Sequence, residues 1–242
     1  MAESFLFPDW PAPANVYARV TTRAGGASLP PYDGFNLGDH VGDDPAAVAA
    51  NRAELRTFCP ADPKWLKQVH GVAVACADTM QATEAADASV AFQPNTVSVV
   101  LTADCLPVLF CNRAGTVVAA AHAGWRGLAA GVLEATLKAM RTNPDEILAW
   151  MGPAIGAQAF EVGDEVRTVF VRDLPGASQA FKPGLPGKWF ADIYLLARLR
   201  LARAGVNQVY GGGLCTYTDA ARFYSFRRNP VTGRMASLIW IQ

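Results

Sequence analysis

The side chains best suited to chemistry are two histidines and one cysteine, each of which ends an apolar run beside a glycine-containing turn. These are His70, Cys105, which follows an apolar run over 97–101, and His122, which ends an alanine-rich run. They are separated by 35 and 17 residues, so only the fold can bring them together. Two imidazoles and a thiolate with a vacant fourth position match a catalytic zinc site, in which the open position holds an activated water.

The same residues allow an interpretation without metal. Cys105 would then be a thiolate nucleophile, with His122 or His70 as its base and Asp104 or an amide orienting that base. Apolar flanks do not lower the pKa of a thiol, so this mechanism needs a histidine or Arg126 close to the sulfur. Each residue taken alone also fits a packing role, because cysteine is often a small buried hydrophobe.

The elements that must position these side chains are predicted strands and one helix. Residues 97–101, 106–111 and 116–121 predict three strands, and apolar residues at helical spacing over 128–140 predict a helix. Residues 65–74 predict a strand pair interrupted by a turn at His70. Strand ends that open into a glycine-containing turn and a helix N-terminus collect unpaired N–H groups. We therefore expect the chemistry at strand ends of an open sheet.

Two further helices and a terminal hairpin are predicted from caps and apolar runs. Asp44 followed by proline predicts a helix through about residue 58, and Asp192 predicts the N-cap of a helix over 193–204. Residues 223–228 and 237–241 predict strands or a hairpin.

Three loops are predicted. The glycine- and proline-rich loop from Arg23 to Asn36 is long enough to suggest a functional role. Residues 77–91 are small, polar and acidic, which predicts a solvated loop or weak helix at the surface. Residues 174–188 are rich in proline and glycine and predict a loop.

Composition bounds the class of protein. The chain has 242 residues, of which 51% are apolar, and this favours one globular domain with a substantial core. Lys and Arg together number 21, as do Asp and Glu, and the absence of a basic run argues against a nucleic-acid or anionic-lipid partner. The acidic, proline-containing N-terminus lacks signal-peptide features and no run is long enough to span a membrane, so we expect a soluble, cytoplasmic protein. Five cysteines without a paired framework predict reduced thiols.

Several rare strings in this sequence resemble one known family. Four surround the candidate residues, at 67–71 (KQVHG), 102–108 (TADCLPV), 121–127 (AHAGWRG) and 152–156 (GPAIG). Four more fit in the same order, at 23–26 (RAGG), 36–38 (NLG), 41–45 (VGDDP) and 223–228 (FYSFRR). Together they resemble the laccase-domain, or YfiH-like, family of purine nucleoside phosphorylases, formerly called multicopper polyphenol oxidases, over nearly the whole chain.

The resemblance implies a fold, a metal and an activity. The implied fold is mixed α/β (α+β), a layered sandwich of mixed β-sheets with flanking helices in a single domain over 1–242. The implied zinc ligands are His70, Cys105 and His122, and Arg23 and Asn36 are implied as pocket residues. The implied activity is phosphorolysis of adenosine, guanosine, inosine and methylthioadenosine, with deamination of adenosine as well.

Two residues are further catalytic candidates for these reactions. Zinc deaminases use a carboxylate to move the proton, and Asp104 is the carboxylate nearest in sequence to the predicted ligands. Phosphorolysis needs cationic and N–H donors for phosphate, which Arg23, Arg126 and the turn at 124–127 would provide. The expected partners are therefore a purine nucleoside and phosphate, and the oligomeric state is left open.

Three alternatives use the same ligands. A multicopper oxidase needs a histidine-rich trinuclear cluster, which three histidines do not supply, although a single copper in the same site with weak oxidase activity remains an alternative. Amide hydrolysis of a cell-wall precursor carrying a misincorporated amino acid would use the same activated water as deamination. The non-enzymatic alternative is a metal-binding module without catalysis.

Overall fold

The computed structural model describes residues 4–242, and two β-sheets form its centre. The strands of the described residues are β1 (Phe5–Leu6), β2 (Val16–Thr21), β3 (Leu66–Lys67), β4 (Val74–Cys76), β5 (Glu84–Ala85), β6 (Ala88–Ala91), β7 (Ser98–Thr102), β8 (Leu106–Asn112), β9 (Val118–Ala123), β10 (Ile147–Met151), β11 (Glu161–Gly163), β12 (Phe181–Pro183), β13 (Lys188–Ala191), β14 (Gln208–Gly211) and β15 (Met235–Ile241). The helices are α1 (Pro45–Arg56), α2 (Trp125–Ala130), α3 (Val132–Met140), α4 (Asp164–Asp173) and α5 (Ile193–Arg203). No helix within 4–242 is long and apolar enough to cross a membrane.

The two main sheets differ in strand direction. The four-stranded sheet, in the order β1-β2-β15-β7, is antiparallel throughout. The six-stranded sheet, in the order β14-β10-β8-β9-β6-β4, is mixed, because its two outermost pairs are parallel and the pairs between them are antiparallel. Two smaller sheets have the orders β11-β13-β12 and β3-β5. This arrangement confirms the mixed α/β fold implied by the resemblance.

Alternating side chains divide the core into layers. In β8, Leu109 and Cys111 pack toward the four-stranded sheet, whereas Leu106, Val108 and Phe110 pack toward the helices on the other face. The side chains of β9 and β10 also alternate between these two layers. Because both faces of the strands are buried, their sequences are continuous apolar runs. The far face of the four-stranded sheet is covered by α1. The molecule is therefore layered, with α1, the four-stranded sheet, the six-stranded sheet and then α2 to α5.

Most elements around the candidate residues match the prediction, with two differences. Strands β7 and β8 occupy the predicted positions, but β9 runs two residues further than expected, so that His122 lies inside the strand. The predicted helix is divided into α2 and α3 at Gly131, whose φ of 101° is left-handed. A glycine adopts this conformation without steric cost, so it ends one helix and begins the next.

The prediction of a surface segment over 77–91 is confirmed for residues 81–85, which are exposed, but is wrong for residues 86–91. The segment contains β6, whose four residues are all buried between β9 and β4, and Asp87 immediately before it is fully buried. The small side chains that suggested a solvated loop instead allow β6 to fit between two neighbouring strands and the layers above and below them. Its burial brings a carboxylate into the interior of the protein.

Two other loop and strand assignments also change. Residues 223–228 form turns instead of a strand, and the side chain of Arg228 in this segment donates hydrogen bonds to the carbonyl groups of Thr216, Tyr217 and Phe223. Residues 174–188 contain a 3-10 turn and β12. By contrast, the predicted cap at Asp192 is confirmed, because its side chain accepts a hydrogen bond from the N–H of Leu195 at 2.9 Å.

Candidate metal centre

The fold brings His70, Cys105 and His122 together. One ligand atom from each residue lies within 4.8 Å of the other two. The Sγ atom of Cys105 is 3.8 Å from Nε2 of His70, and the two imidazole rings meet edge to face with their centroids 4.8 Å apart. Three residues that are distant in sequence, one inside a strand and two in turns, thus form a single cluster.

The members of the cluster are held by two kinds of backbone, one strand and two turns. His122 is buried in β9, paired with Pro107 of β8. Cys105 is half-buried in the turn that leads into β8, directly after Asp104, whose φ is 94°. His70 is exposed in the turn between β3 and β4 and has a φ of 59°. The two turn residues are therefore held by irregular backbone, and the strand residue by sheet hydrogen bonds.

Asp87 connects two of the three candidate ligands. Its carboxylate lies 2.8 Å from Nδ1 of His122 and also accepts hydrogen bonds from the backbone N–H groups of Val69, His70 and Gly71. The sequence analysis missed this residue, because it assigned the whole of 77–91 to the surface. The available signal was an aspartate directly before a short, mainly apolar run at 88–92, whereas the other candidates were identified because they end apolar runs.

The charges of the cluster are coupled. Burial alone would raise the pKa of the Cys105 thiol, but the positive charge of His122 and hydrogen bonds from both histidines outweigh it and lower the pKa to about 6. Burial alone would lower the pKa of His122, but the Cys105 thiolate and the Asp87 carboxylate raise it to about 9. Burial would likewise raise the pKa of Asp87, yet hydrogen bonds from His122 and from backbone N–H groups lower it. The thiol is thus ready to act as a thiolate ligand.

The donor set fits a zinc ion. Tetrahedral zinc with nitrogen and sulfur ligands at 2.0–2.3 Å places neighbouring ligand atoms about 3.3–3.6 Å apart. The Cys105–His70 pair, at 3.8 Å, is close to this spacing, and since the three ligand atoms lie within 4.8 Å of one another, the cluster would contract by up to about an ångström around an ion. A carboxylate that holds one ring nitrogen of a ligating histidine is a common feature of zinc sites, and Asp87 supplies it here.

The cluster opens into a cavity of about 470 Å³ that contains unpaired positive charge. Three arginines line it, namely Arg126, Arg227 and Arg234, and none of them forms an ion pair with a carboxylate of residues 4–242. Each guanidinium instead lies over an aromatic ring, those of Trp125, Phe160 and Phe226 respectively, and these rings also line the cavity. The cavity therefore offers both cations and ring faces to a ligand.

Asp104 and Arg126, two of the residues singled out from the sequence, lie in this cavity. The carboxylate of Asp104 accepts hydrogen bonds at 2.6 Å from Oγ1 of Thr216 and from the backbone N–H of Arg227. It thereby ties Arg227 in the cavity wall to Thr216, which lies behind it. The side chain of Arg126 is exposed and rests on the ring of Trp125, with its centre 4.4 Å away.

Arg23 and Asn36 do not line the cavity. Arg23 pairs with Asp33 and lies over the ring of Tyr224 at 5.0 Å. Asn36 is fully buried, and its side-chain oxygen accepts a hydrogen bond from the backbone N–H of Arg234 at 2.9 Å. The loop predicted to be functional thus supports the wall of the cavity, and direct contact of these two residues with a substrate stays a prediction.

A second, larger cavity of about 540 Å³ lies beside Cys215 and the three glycines at 211–213. None of the three clustered ligands lines it. Its size alone does not indicate chemistry, so the smaller cavity at the cluster is the better candidate for a site.

A sequence model of a known family covers residues 17–242, and its description is multi-copper polyphenol oxidoreductase laccase. The chain belongs to this laccase-domain family. It is 57% identical to a purine nucleoside phosphorylase of Pseudomonas aeruginosa over 99% of both chains, and 56% identical to the purine nucleoside phosphorylase YfiH of Escherichia coli over 98% of both. The resemblance inferred from the short strings is therefore confirmed.

Solved structures give the same result for the fold. A Neisseria meningitidis protein superposes on this laccase-domain chain with a TM-score of 0.96 at 51% identity, over 99% of this chain and 100% of the other. A Bacillus licheniformis protein described as hypothetical protein YfiH superposes with a TM-score of 0.91 at 30% identity, over 100% and 97%. The layered architecture of this chain is thus that of its laccase-domain relatives.

Proposed function

We propose that this chain is a zinc-dependent purine nucleoside phosphorylase that acts on adenosine, guanosine, inosine and methylthioadenosine and also deaminates adenosine. The observation that carries the proposal is the cluster of His70, Cys105 and His122 in a cavity whose arginines lack carboxylate partners. The names of the bacterial relatives support the phosphorylase activity. We further propose that the protein acts in the cytoplasm on small metabolites.

The arginines are proposed to hold phosphate. Phosphate needs several charge-assisted hydrogen bonds, and guanidinium groups supply them with well-defined geometry. Burial lowers the pKa of Arg234 although the charges of Cys105 and Asp104 act in the opposite direction, so its charge is poorly solvated and would gain from a bound anion. Arg126, on the exposed side of the cavity, would contact the phosphate as it enters.

In the phosphorolysis, a phosphate oxygen would bond to C1′ of the ribose as the bond from C1′ to the purine nitrogen breaks. The electron pair of that bond leaves with the purine, and the other product is ribose 1-phosphate. The rings of Trp125, Phe160 and Phe226 would position the purine by stacking, and Phe226 is 51% exposed at the cavity. Zinc, when bound to Cys105, His70 and His122, would supply a Lewis acid to the site.

Asp104 is the carboxylate proposed to move the proton in the deamination, where water replaces the amino group of adenosine and ammonia leaves. It lines the cavity next to Cys105. Each carboxylate oxygen can accept two hydrogen bonds, so the bonds from Thr216 and from the backbone of Arg227 leave acceptor capacity on Asp104. This residue would thus combine a structural role with a chemical one.

The proposal is tested by measuring metal content and nucleoside products on one preparation. Protein carrying one zinc per chain should convert inosine to free base and ribose 1-phosphate only when phosphate is present. Adenosine should in addition yield ammonia. Zinc-loaded protein that forms none of these products would overturn the proposed activity and leave a metal-binding module as the explanation of the cluster.

A further inference from the structure

Asp87 contacts both histidines of the cluster through one carboxylate. We propose that Asp87 is a positioning residue that sets the orientation of His122 through its side chain and of His70 through its backbone. The inference rests on the proposed zinc site, but it concerns how the protein holds its ligands and does not depend on which reaction follows.

The contact with His122 fixes its tautomer. A carboxylate can only accept hydrogen bonds, so the 2.8 Å contact requires a proton on Nδ1 of His122 and leaves Nε2 as the atom available to a metal. The backbones of the two residues are joined as well, because the N–H of His122 donates to the carbonyl of Asp87 at 2.7 Å. Both the backbone and the imidazole ring of His122 are thereby hydrogen-bonded to Asp87.

The contact with His70 fixes its backbone. His70 has a φ of 59°, which is uncommon for a residue with a side chain and requires support from its surroundings. Three successive N–H groups, those of Val69, His70 and Gly71, point at the Asp87 carboxylate with distances of 3.1, 2.9 and 2.6 Å. A neutral side chain at this position would accept fewer of these bonds, so the turn that presents His70 would relax.

A purely structural role for Asp87 is the competing explanation, and the chain contains a matched control for it. The carboxylate of Asp78 also accepts two backbone N–H groups, from Phe92 at 2.8 Å and Gln93 at 3.2 Å. It secures a turn in the same region of the chain but contacts neither histidine. Comparison of the two aspartates therefore separates loop support from ligand positioning.

The test measures zinc affinity by competition with a chromophoric chelator for wild type, Asp87→Asn and Asp78→Asn, with far-UV circular dichroism to confirm folding. Asp87→Asn should bind zinc 10- to 100-fold more weakly, the range typical for loss of a group that orients a metal ligand. Asp78→Asn should bind within about twofold of wild type, since it touches no ligand. Excess zinc should restore the catalytic rate of Asp87→Asn. Equal zinc affinity in wild type and Asp87→Asn would overturn the inference.

A second measurement observes the tautomer of His122 directly. Long-range ¹H–¹⁵N spectra of the zinc-loaded wild type, with His40→Gln used to remove one of the three histidines from the spectrum, should show His122 protonated at Nδ1. Protonation at Nε2 would overturn the inference. If zinc affinities follow the expected order but no protein cleaves a nucleoside, the phosphorylase proposal fails and the role of Asp87 stands. Wild type that binds no zinc would overturn both.

Discussion

A Cβ atom added at Gly124 would lie 2.8 Å from Cδ2 of His70 and 3.0 Å from Sγ of Cys105. These distances are shorter than carbon atoms tolerate, so the ligands approach each other only because residue 124 is glycine. The backbone of Gly124, with a φ of −64°, would itself accept a side chain. Residue 124 must therefore be glycine to leave space between His70 and Cys105, two of the proposed metal ligands.

Gly124→Ala should accordingly weaken zinc binding, while the melting temperature of the protein should change little. The alanine methyl group would push the exposed ring of His70 outward, and we expect zinc affinity to fall about tenfold or more, as for other changes that misplace a ligand. Gly71→Ala is the control, because its new Cβ would meet neighbours at ordinary distances of 3.5 and 3.6 Å. Similar zinc affinities for the two variants would refute the steric argument.

Loss of a ligand should remove the metal. Cys105→Ala and His122→Ala should each purify without stoichiometric zinc, whereas Cys215→Ala, outside the cluster, should retain it. Metal analysis measures the outcome, and far-UV circular dichroism separates loss of a ligand from loss of the fold. Full zinc content in both ligand variants would rule out this site.

The cysteine of the cluster should be unusually reactive in metal-free protein. Because the pKa of Cys105 is lowered to about 6, its thiol is largely ionised at pH 7 and becomes protonated only as the pH falls below 6. The rate of its alkylation by iodoacetamide, measured at this residue by mass spectrometry, should therefore reach its plateau near neutral pH. Cys59 and Cys111 should remain unreactive there, since burial raises their pKa to about 11 and about 12.

His122→Ala supplies the control for this prediction. It removes the positive charge that holds the Cys105 pKa down, so the midpoint of alkylation should move to higher pH. An unchanged midpoint would show that the coupling between the two residues is absent.

The phosphate subsite can be tested at Arg126. A charge-assisted hydrogen bond contributes roughly 1.5–3 kcal/mol, so Arg126→Ala should raise the KM for phosphate by about tenfold or more. Arg172→Ala is a suitable control, because Arg172 is exposed on α4 and pairs only with its neighbour Asp173. A phosphate KM that changes equally in both variants would exclude Arg126 from the subsite.

The variant Arg23→Ala distinguishes a direct contact between Arg23 and phosphate from a role of Arg23 in supporting the cavity wall. Arg23→Ala should leave zinc bound and lower phosphorolysis, as the sequence predicts for a pocket residue. If Arg23 contacts phosphate, the loss appears as a higher phosphate KM. If its pairing with Asp33 and its contact with the ring of Tyr224 matter instead, the melting temperature falls and the phosphate KM does not change.

The oxidase alternative predicts a different metal and a different co-substrate. Zinc has no redox chemistry, and a trinuclear copper cluster needs more imidazoles than the three histidines of this sequence. Copper-free protein kept without oxygen should therefore cleave inosine in phosphate buffer. If it does not, while copper-loaded protein oxidises phenols at an ordinary enzymatic rate, the oxidase alternative is correct.

The sequence predicted those parts of the site that depend on local pattern. Residues 97–101 and 106–111 are continuous apolar runs, because their strands are buried on both faces, and so the strands and the cysteine between them were recognisable. Asp192 was recognisable as a cap because a cap depends on its immediate neighbours.

Other parts depend on contacts between distant segments, which no local pattern contains. Asp87 is buried only because β6 lies between β9 and β4, and its small polar neighbours gave the opposite impression. Residues 223–228 are rich in aromatic residues, as strands often are, yet they form coil and a turn in which Arg228 donates hydrogen bonds to the carbonyl groups of Thr216 and Tyr217. Arg234 was overlooked because nothing in its own surroundings indicates that it faces the cluster.

The unequal burial of the two histidines determines how an ion can reach the cluster. His122 is only 3% exposed and is enclosed by strands on both sides, whereas His70 stands at the surface in a turn. A metal ion bound at the proposed site would therefore exchange from the side of His70, whose exposed ring would rotate aside while His122 and Cys105 stay in place. If the proposed zinc is bound, the rate of its release to a chelator should depend on the motion of this one surface turn and not on opening of the core.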